Sequence, residues 1–368
     1  MFIGSTNPPV TIDGNSTITL DGTGITSGML SIFGSSTAMP DVTFKRIPFA
    51  NGNITTGLVA GGAIQNFGKL TFDTVVFTNN RAVGSGGAIF QELCTGCLPP
   101  SLTVTRSVFQ NGSSGGGAAI SMEGGFASVA DSTFSGNTAT TAGAIEIYGN
   151  STFSVIMTID RCTFTGNTAT FGGGAIAVES LNAGSSVNIT DDTFTGNTAS
   201  GANGQGAAIY IDATPVTITN CTIAGNTAGA SGGALHFGSR TPVTTVTNTI
   251  IASNNGGNCS FAPGGTFAGG HDLQFGDTTC TGMTVANALL GSLANNGGPT
   301  QTMALGAGSP AIDGGDTINA PSTDQRGVTR TDGNGDGVIA VDIGAFEAPA
   351  IPSGNGNQAT RRHRAVKP

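Results

Sequence analysis

The sequence predicts an all-β fold, a single-stranded parallel β-helix finished by an irregular C-terminal capping segment. Three observations predict it. Short runs that alternate apolar with small polar residues recur at a near-constant spacing, every copy runs in the same direction, and no amphipathic helix lies between them. The expected organisation is repeats over 1–255, last turns and capping segment over 256–348, and a disordered basic tail over 349–368.

The clearest repeat is Thr-Phe-Thr-Gly-Asn-Thr-Ala, identical at 163–169 and 193–199. Aligned on its aromatic or aliphatic residue it gives Phe77, Phe109, Phe134, Phe164, Phe194, Ile223 and Ile251, roughly 25 to 32 residues apart. Three places later stand Asn80, Asn137, Asn167, Asn197, Asn226 and Asn254, with Gly112 interrupting the column and Asn111 one place early. A Gly-Gly-Ala-Ile run interleaves, ending at Ile64, Ile89, Ile120, Ile145, Ile176, Ile209 and Leu235. A third run starts at Leu70, Leu102, Met157, Val187 and Val216. Each alternates as a strand with one buried face does. Three strands per repeat, repeated in one direction, must stack on their own copies about 4.8 Å apart, so equal positions form ladders. The Phe and Ile columns are expected inside, and the asparagines at a turn where their amides bond the turns above and below.

Composition narrows the function classes. The chain has 368 residues, only 10% charged, 38% hydrophobic, 60 glycines and a net charge of -9. The glycines follow no three-residue period, so this is not collagen, and the apolar fraction suffices for a core. An acidic balance with scattered arginines argues against a nucleic-acid partner. No apolar run is long enough for a transmembrane helix. No basic and then apolar leader follows Met1, and since the chain opens directly in strand pattern, an in-frame leader is expected upstream.

The paired Gly-Gly-Ala-Ile and Phe-x-x-Asn motifs resemble the repeats of polymorphic outer-membrane proteins and of related right-handed, pectin-lyase-like β-helices. The C-terminal part resembles the choice-of-anchor Q family through three stretches, 290–316, "DQRGVTR" at 324–330 and "DIGAFE" at 342–347. That resemblance implies an exported bacterial protein, extracellular or at the cell surface, although no apolar anchor follows Glu347. It also implies a disulfide between Cys259 and Cys280 in an oxidising compartment. The expected role is a non-catalytic, adhesin-like stalk or binding module, monomeric, with surface glycans or other proteins as partners and no required cofactor.

The alternative is a polysaccharide lyase or glycoside hydrolase. Glu92, Glu123, Glu146, Glu179 and Asp212 are expected to point outward beside the Gly-Gly-Ala-Ile column, with Phe90, Tyr148, Tyr210 and His236 among them. Acids and aromatics on one sheet could hold a sugar, and Glu123 with Glu146 on adjacent turns could supply the two carboxylates of a glycosidase. A solvated outer face explains the same residues. His236, His271 and His363 have no serine motif around them that would make a nucleophilic triad.

Three further patterns carry expectations. Arg106, Asp131, Arg161, Asp191 and Asn220 precede the Phe or Ile column by three places, so stacked turns should alternate in sign and stabilise the register by about 0.2–1 kcal/mol each. Cys162 and Cys221 lie two turns apart on the inward side and should be buried free thiols, whereas Cys94 and Cys97 suit a loop disulfide better than zinc or thioredoxin-like chemistry. Finally, Asp332, Asn334 and Asp336 before Gly337 match the oxygen spacing of a calcium loop, with the Val338 carbonyl and Asp342 completing the shell. Asp342 lies at the eleventh rather than the twelfth place of that loop, and pairing with Arg326 or Arg330 is its alternative role.

Overall fold

A computed structural model describes residues 2–3, 9–55, 61–94, 96–149, 153–179, 182, 184–230, 232–240, 244–333, 335, 337 and 339–350. The chain is an all-β parallel solenoid of three long sheets, two of ten strands and one of eleven, with a six-stranded sheet at one corner. Sheet A takes the Gly-Gly-Ala-Ile strands, such as Ile145–Ile147 and Ile176–Val178. Sheet B takes the third run, as in Val155–Asp160 and Ser186–Thr190, and sheet C the Phe strands Thr163–Thr165 and Thr193–Thr195. The short sheet D holds Thr168–Ala169 and Thr198–Ala199.

Register follows the repeats without a slip. Phe77, Phe109, Phe134, Phe164, Phe194, Ile223 and Ile251 pair rung to rung. Consecutive rings from Phe77 to Phe194 stack with centroids 4.5–4.8 Å apart. Each is fully buried, which contributes roughly 1.5–3 kcal/mol per ring. The Ile64 to Leu235 column lines the opposite side of the same core.

The asparagine column is a hydrogen-bonded ladder inside the corner. Asn137 Nδ2 donates to Asn167 Oδ1 at 2.9 Å, Asn167 to Asn197 at 2.9 Å and Asn197 to Asn226 at 3.0 Å. The second amide hydrogen goes to a carbonyl one turn back, such as Phe134 O for Asn167. Asn111 does not belong to this ladder. It takes the left-handed position, φ 55°, that Gly136, Gly166 and Gly196 fill in later turns, and this is why the repeat has Gly before Asn.

A second left-handed column turns the chain from sheet B into sheet C. It is formed by Arg46, Thr74, Arg106, Asp131, Arg161, Asp191, Asn220, Asn248 and His271, with φ between 48° and 59°. The expected charge alternation is therefore only partly realised. Arg161 Nε pairs with Asp131 at 2.8 Å, but Arg106 turns to Asp73, and Asp191 pairs outside the column. One conformation at a corner, rather than one charge pattern, is what these residues share. The residue after each corner faces inward and makes a polar thread through the core. Ser107, Ser132, Asp192, Thr249 and Asp272 each accept a backbone N–H from the preceding turn.

The C-terminal segment lies along the flank of the solenoid. Leu290–Ala294 and Thr302–Leu305 form an antiparallel hairpin, the one antiparallel strand pair among the named strands of the described residues. Leu290, Met303, Leu305 and Ile343 pack on Ala224, Ile250, Ala252 and Leu273, so the last strands of sheet C are apolar on both faces. Further back, Thr163 and Thr193 hydroxyls meet Gln325, and Thr222 Oγ1 accepts from Ala345 N. The buried Arg330 spans Asp191 Oδ1 at 2.6 Å and Glu347 Oε2 at 2.9 Å. Arg326 pairs with Asp324 and stacks over the Phe346 ring at 3.7 Å. All three C-terminal sequence stretches meet in this strap. Residues 351–368, including the basic tail, lie outside the described residues.

Candidate functional site

The outer face of sheet A carries the acids and aromatics, and the pleat sorts them into two rows. In each strand the central side chain points away from the core, which gives a floor of Gln65, Phe90, Ser121, Glu146, Ala177, Tyr210 and His236 in register. Two residues on, past the strand end, the rim row is Glu92, Glu123, Tyr148, Glu179 and Asp212. Their backbone N–H groups continue the ladder to Asn66, Gln91, Met122, Ile147 and Val178. Glu146 and Glu123 thus stand in different rows, not in the single outward column that alternation predicts.

Floor and rim differ in access. Glu146 is only 6% exposed. Its Oε2 accepts Ser121 Oγ at 2.8 Å and Gly117 N at 3.2 Å. Gly116 covers it so closely that a Cβ there would stand 2.2 Å from Oε2. Burial raises the Glu146 pKa, and the charge of Glu179 adds to the effect. Phe90 and His236 are likewise buried. Burial lowers His236 to about 4, so its ring is neutral. Ser260 Oγ donates to Gly232 O, so the His236 Nδ1 hydrogen goes to that same hydroxyl, at 2.9 Å. This serine is engaged on both sides and is not an activated nucleophile.

In the rim Glu92, Glu123, Tyr148 and Glu179 are half-exposed, whereas Asp212 is buried. Gln65 Nε2 donates to Glu92 at 2.8 Å. Glu123 is raised by burial and by Glu92, and Glu179 by burial and by Asp212, with Arg240 opposing. Asp212 pairs with Arg240 through Nε at 3.1 Å. The rings of Phe90 and Tyr148 stack at 6.4 Å and those of Tyr210 and His236 at 5.0 Å, two short aromatic platforms beside the acids. Such a rim can hold a ligand rich in hydroxyl or amino groups by hydrogen bonds and ring contacts.

The cysteines and the acidic loop complete the candidate residues. Cys259 and Cys280 are joined, with Cα atoms 5.0 Å apart, as are Cys94 and Cys97 at 5.4 Å. Cys162 and Cys221 are free and buried, and the turn between them places Asp192 in the same inward column. In the acidic loop Asp332 accepts from Gly335 N at 2.6 Å and Gly337 N at 2.8 Å, which preforms the turn a cation loop needs. Asn334, Asp336 and Val338 lie outside the described residues. Asp342 does not fit a ligand role. Its Oδ1 accepts Asp313 N at 2.7 Å and its Oδ2 accepts Ala348 N at 2.6 Å. Nor does its carboxylate pair with an arginine, since Arg330 turns to Glu347 and Asp191 and Arg326 to Asp324. Among the described residues no group of three or more His, Cys, Asp or Glu is arranged to hold a metal.

Sequence reasoning missed the strap contacts of Asp191, Gln325 and Arg330 and the inward polar thread. The identical Thr-Phe-Thr copies carried a signal for the strap, because a threonine repeated at an outward position is available to a covering segment.

A family model described as the Chlamydia polymorphic membrane protein repeat matches residues 74–92 and 161–179. Each match begins at a left-handed corner, Thr74 or Arg161, passes the Phe-x-x-Asn and Gly-Gly-Ala-Ile motifs, and ends on a rim acid, Glu92 or Glu179. No curated protein matches the chain.

Proposed function

We propose that this chain is a right-handed, exported β-solenoid that stands at a cell surface as a non-catalytic, adhesin-like module and binds surface glycans or proteins along the rim of sheet A. The observation that carries the reading is the repeat similarity, which names a membrane protein and spans a pass of the coil from corner to rim at two places. The uninterrupted ladders support it, because a rigid rod with a filled core suits display and reach. Among the described residues no helix is long and apolar enough to cross a membrane. The strap motifs resemble the choice-of-anchor Q family, which points to export followed by attachment through a segment beyond the fold. The protein acts as a monomer, and nucleic acid is no partner of so acidic a chain.

A second reading, a carbohydrate-active enzyme, is favoured by one observation, the raised pKa values of Glu123 and Glu179, which suit a general acid. A glycan array probed with the protein and with a Glu92→Gln, Glu123→Gln, Glu179→Gln variant tests the main reading. Retention by wild type that the variant loses supports rim binding. Equal retention by both removes the rim from the account.

A further inference from the structure

We infer that the Cys94–Cys97 pair is a thiol-exchange site, open to low-molecular-weight thiols under native conditions, whereas Cys259–Cys280 is a permanent fold disulfide. The two pairs differ in what surrounds them. Cys259 and Cys280 belong to the main hydrophobic core, and Cys280 has no exposed surface. Cys94 and Cys97 are half-buried on a loop, with Gly96 exposed between them and Leu98 41% exposed beside them. A reductant can reach sulfur at one pair and not at the other.

They differ also in what they hold. The core pair spans a sequence separation of 21, the loop pair only 3, so the loop pair restrains the unfolded chain least. Its turn is already closed by the backbone, since Cys97 N donates to Cys94 O at 3.0 Å. Both ends of the loop are tied to other turns, Glu92 N to Asn66 O and Leu98 N to Ser35 O. The solenoid therefore keeps its shape when this bond opens.

The exchange balances with a thiol as the only co-reactant. A thiolate of the reductant attacks one sulfur of the pair, the Cys94–Cys97 bond breaks as the new S–S bond forms, and the electron pair leaves on the other sulfur, which takes a proton. A second thiolate attacks the mixed disulfide, so that two reductant thiols are oxidised and one protein disulfide is reduced. With glutathione as the reductant and Cys94 as the sulfur attacked, the intermediate carries a peptide-sized group two residues from Glu92 in the sequence. Cys162 and Cys221 do not compete, because burial pushes both thiols well above their ordinary range.

Glutathione provides the probe. The native protein is equilibrated in a series of glutathione redox buffers, quenched in acid, alkylated and mapped by peptide mass spectrometry. Alkylation of Cys94 and Cys97 at less reducing ratios than Cys259 and Cys280, with a glutathione adduct on the 94–97 peptide at intermediate ratios and an unchanged melting temperature, is the expected result. Reduction of the core pair first or together with the loop pair overturns the inference. A Cys94→Ser variant is the second arm, where the remaining Cys97 should react with an aromatic disulfide reagent in the folded protein, and failure to react shows the site to be closed.

Discussion

Arg330→Met should open the strap while leaving the coil folded. The Arg330 side chain is 3% exposed and holds Asp191 at 2.6 Å and Glu347 at 2.9 Å, two carboxylates that are themselves buried. Methionine keeps most of the volume but leaves both acids without their cation. Glu347 retains Thr331 N and Asp342 N, whereas Arg330 is the charge partner of Asp191. Stranding a buried charge costs about 3–5 kcal/mol. The cost is bounded because Asp191 can take a proton, and moving an ordinary carboxyl from a pKa near 4 to neutral pH is worth about 4 kcal/mol. Arg161→Ala, at a pair whose arginine is 28% exposed, should cost about 1 kcal/mol or less. Limited proteolysis under native conditions reads the difference, since cleavage should appear within 290–348 of the Arg330 variant well before any cleavage in the coil. Equal protection of both variants, together with unfolding free energies within about 1 kcal/mol of each other, would refute the assignment of Arg330 as the pin of the strap.

In the core, Phe164→Ala removes a ring stacked at 4.7 Å on both sides and should cost about 3–5 kcal/mol in urea unfolding, while Glu179→Ala on the rim should stay within about 0.5 kcal/mol. Stability should fall as pH rises. Burial raises Asp342 to about 7, above its unfolded value, so its contribution is complete below about pH 4 and is lost as pH passes through 7. The melting temperature should therefore be lower at pH 8 than at pH 5, and Asp342→Asn should reduce that difference without abolishing it, because burial also raises Asp272 to about 8. Calcium is expected to bind at Asp332, Asn334 and Asp336 in roughly the millimolar range. Calorimetric titration should give heat that an Asp332→Ala, Asp336→Ala variant lacks, and a chelator should lower the melting point of the wild type alone.

The parts of the fold legible in the sequence are those that each turn must repeat. Phe164, Ile176 and Asn197 could be placed because every rung demands the same side chain at the same site. The left-handed corner was hidden because Arg161, Asp191, Asn220 and His271 share a backbone conformation and no chemistry. Similarly, Glu146 looked exposed because alternation predicts which way a side chain points, not that Gly116 of the neighbouring turn covers it. The strap was least visible. Arg330 and Asp191 lie 139 residues apart, and no period links a docking segment to its groove.

Binding without turnover on the rim of sheet A can be read in one assay. The protein is incubated at pH 4 to 9 with a panel of acidic and neutral polysaccharides, and both retained protein and released sugar are measured. A non-catalytic surface module should be retained on at least one polymer with no new reducing ends and no unsaturated product. Release of either product by wild type, abolished in Glu123→Gln, would contradict it and make the rim of sheet A an active site.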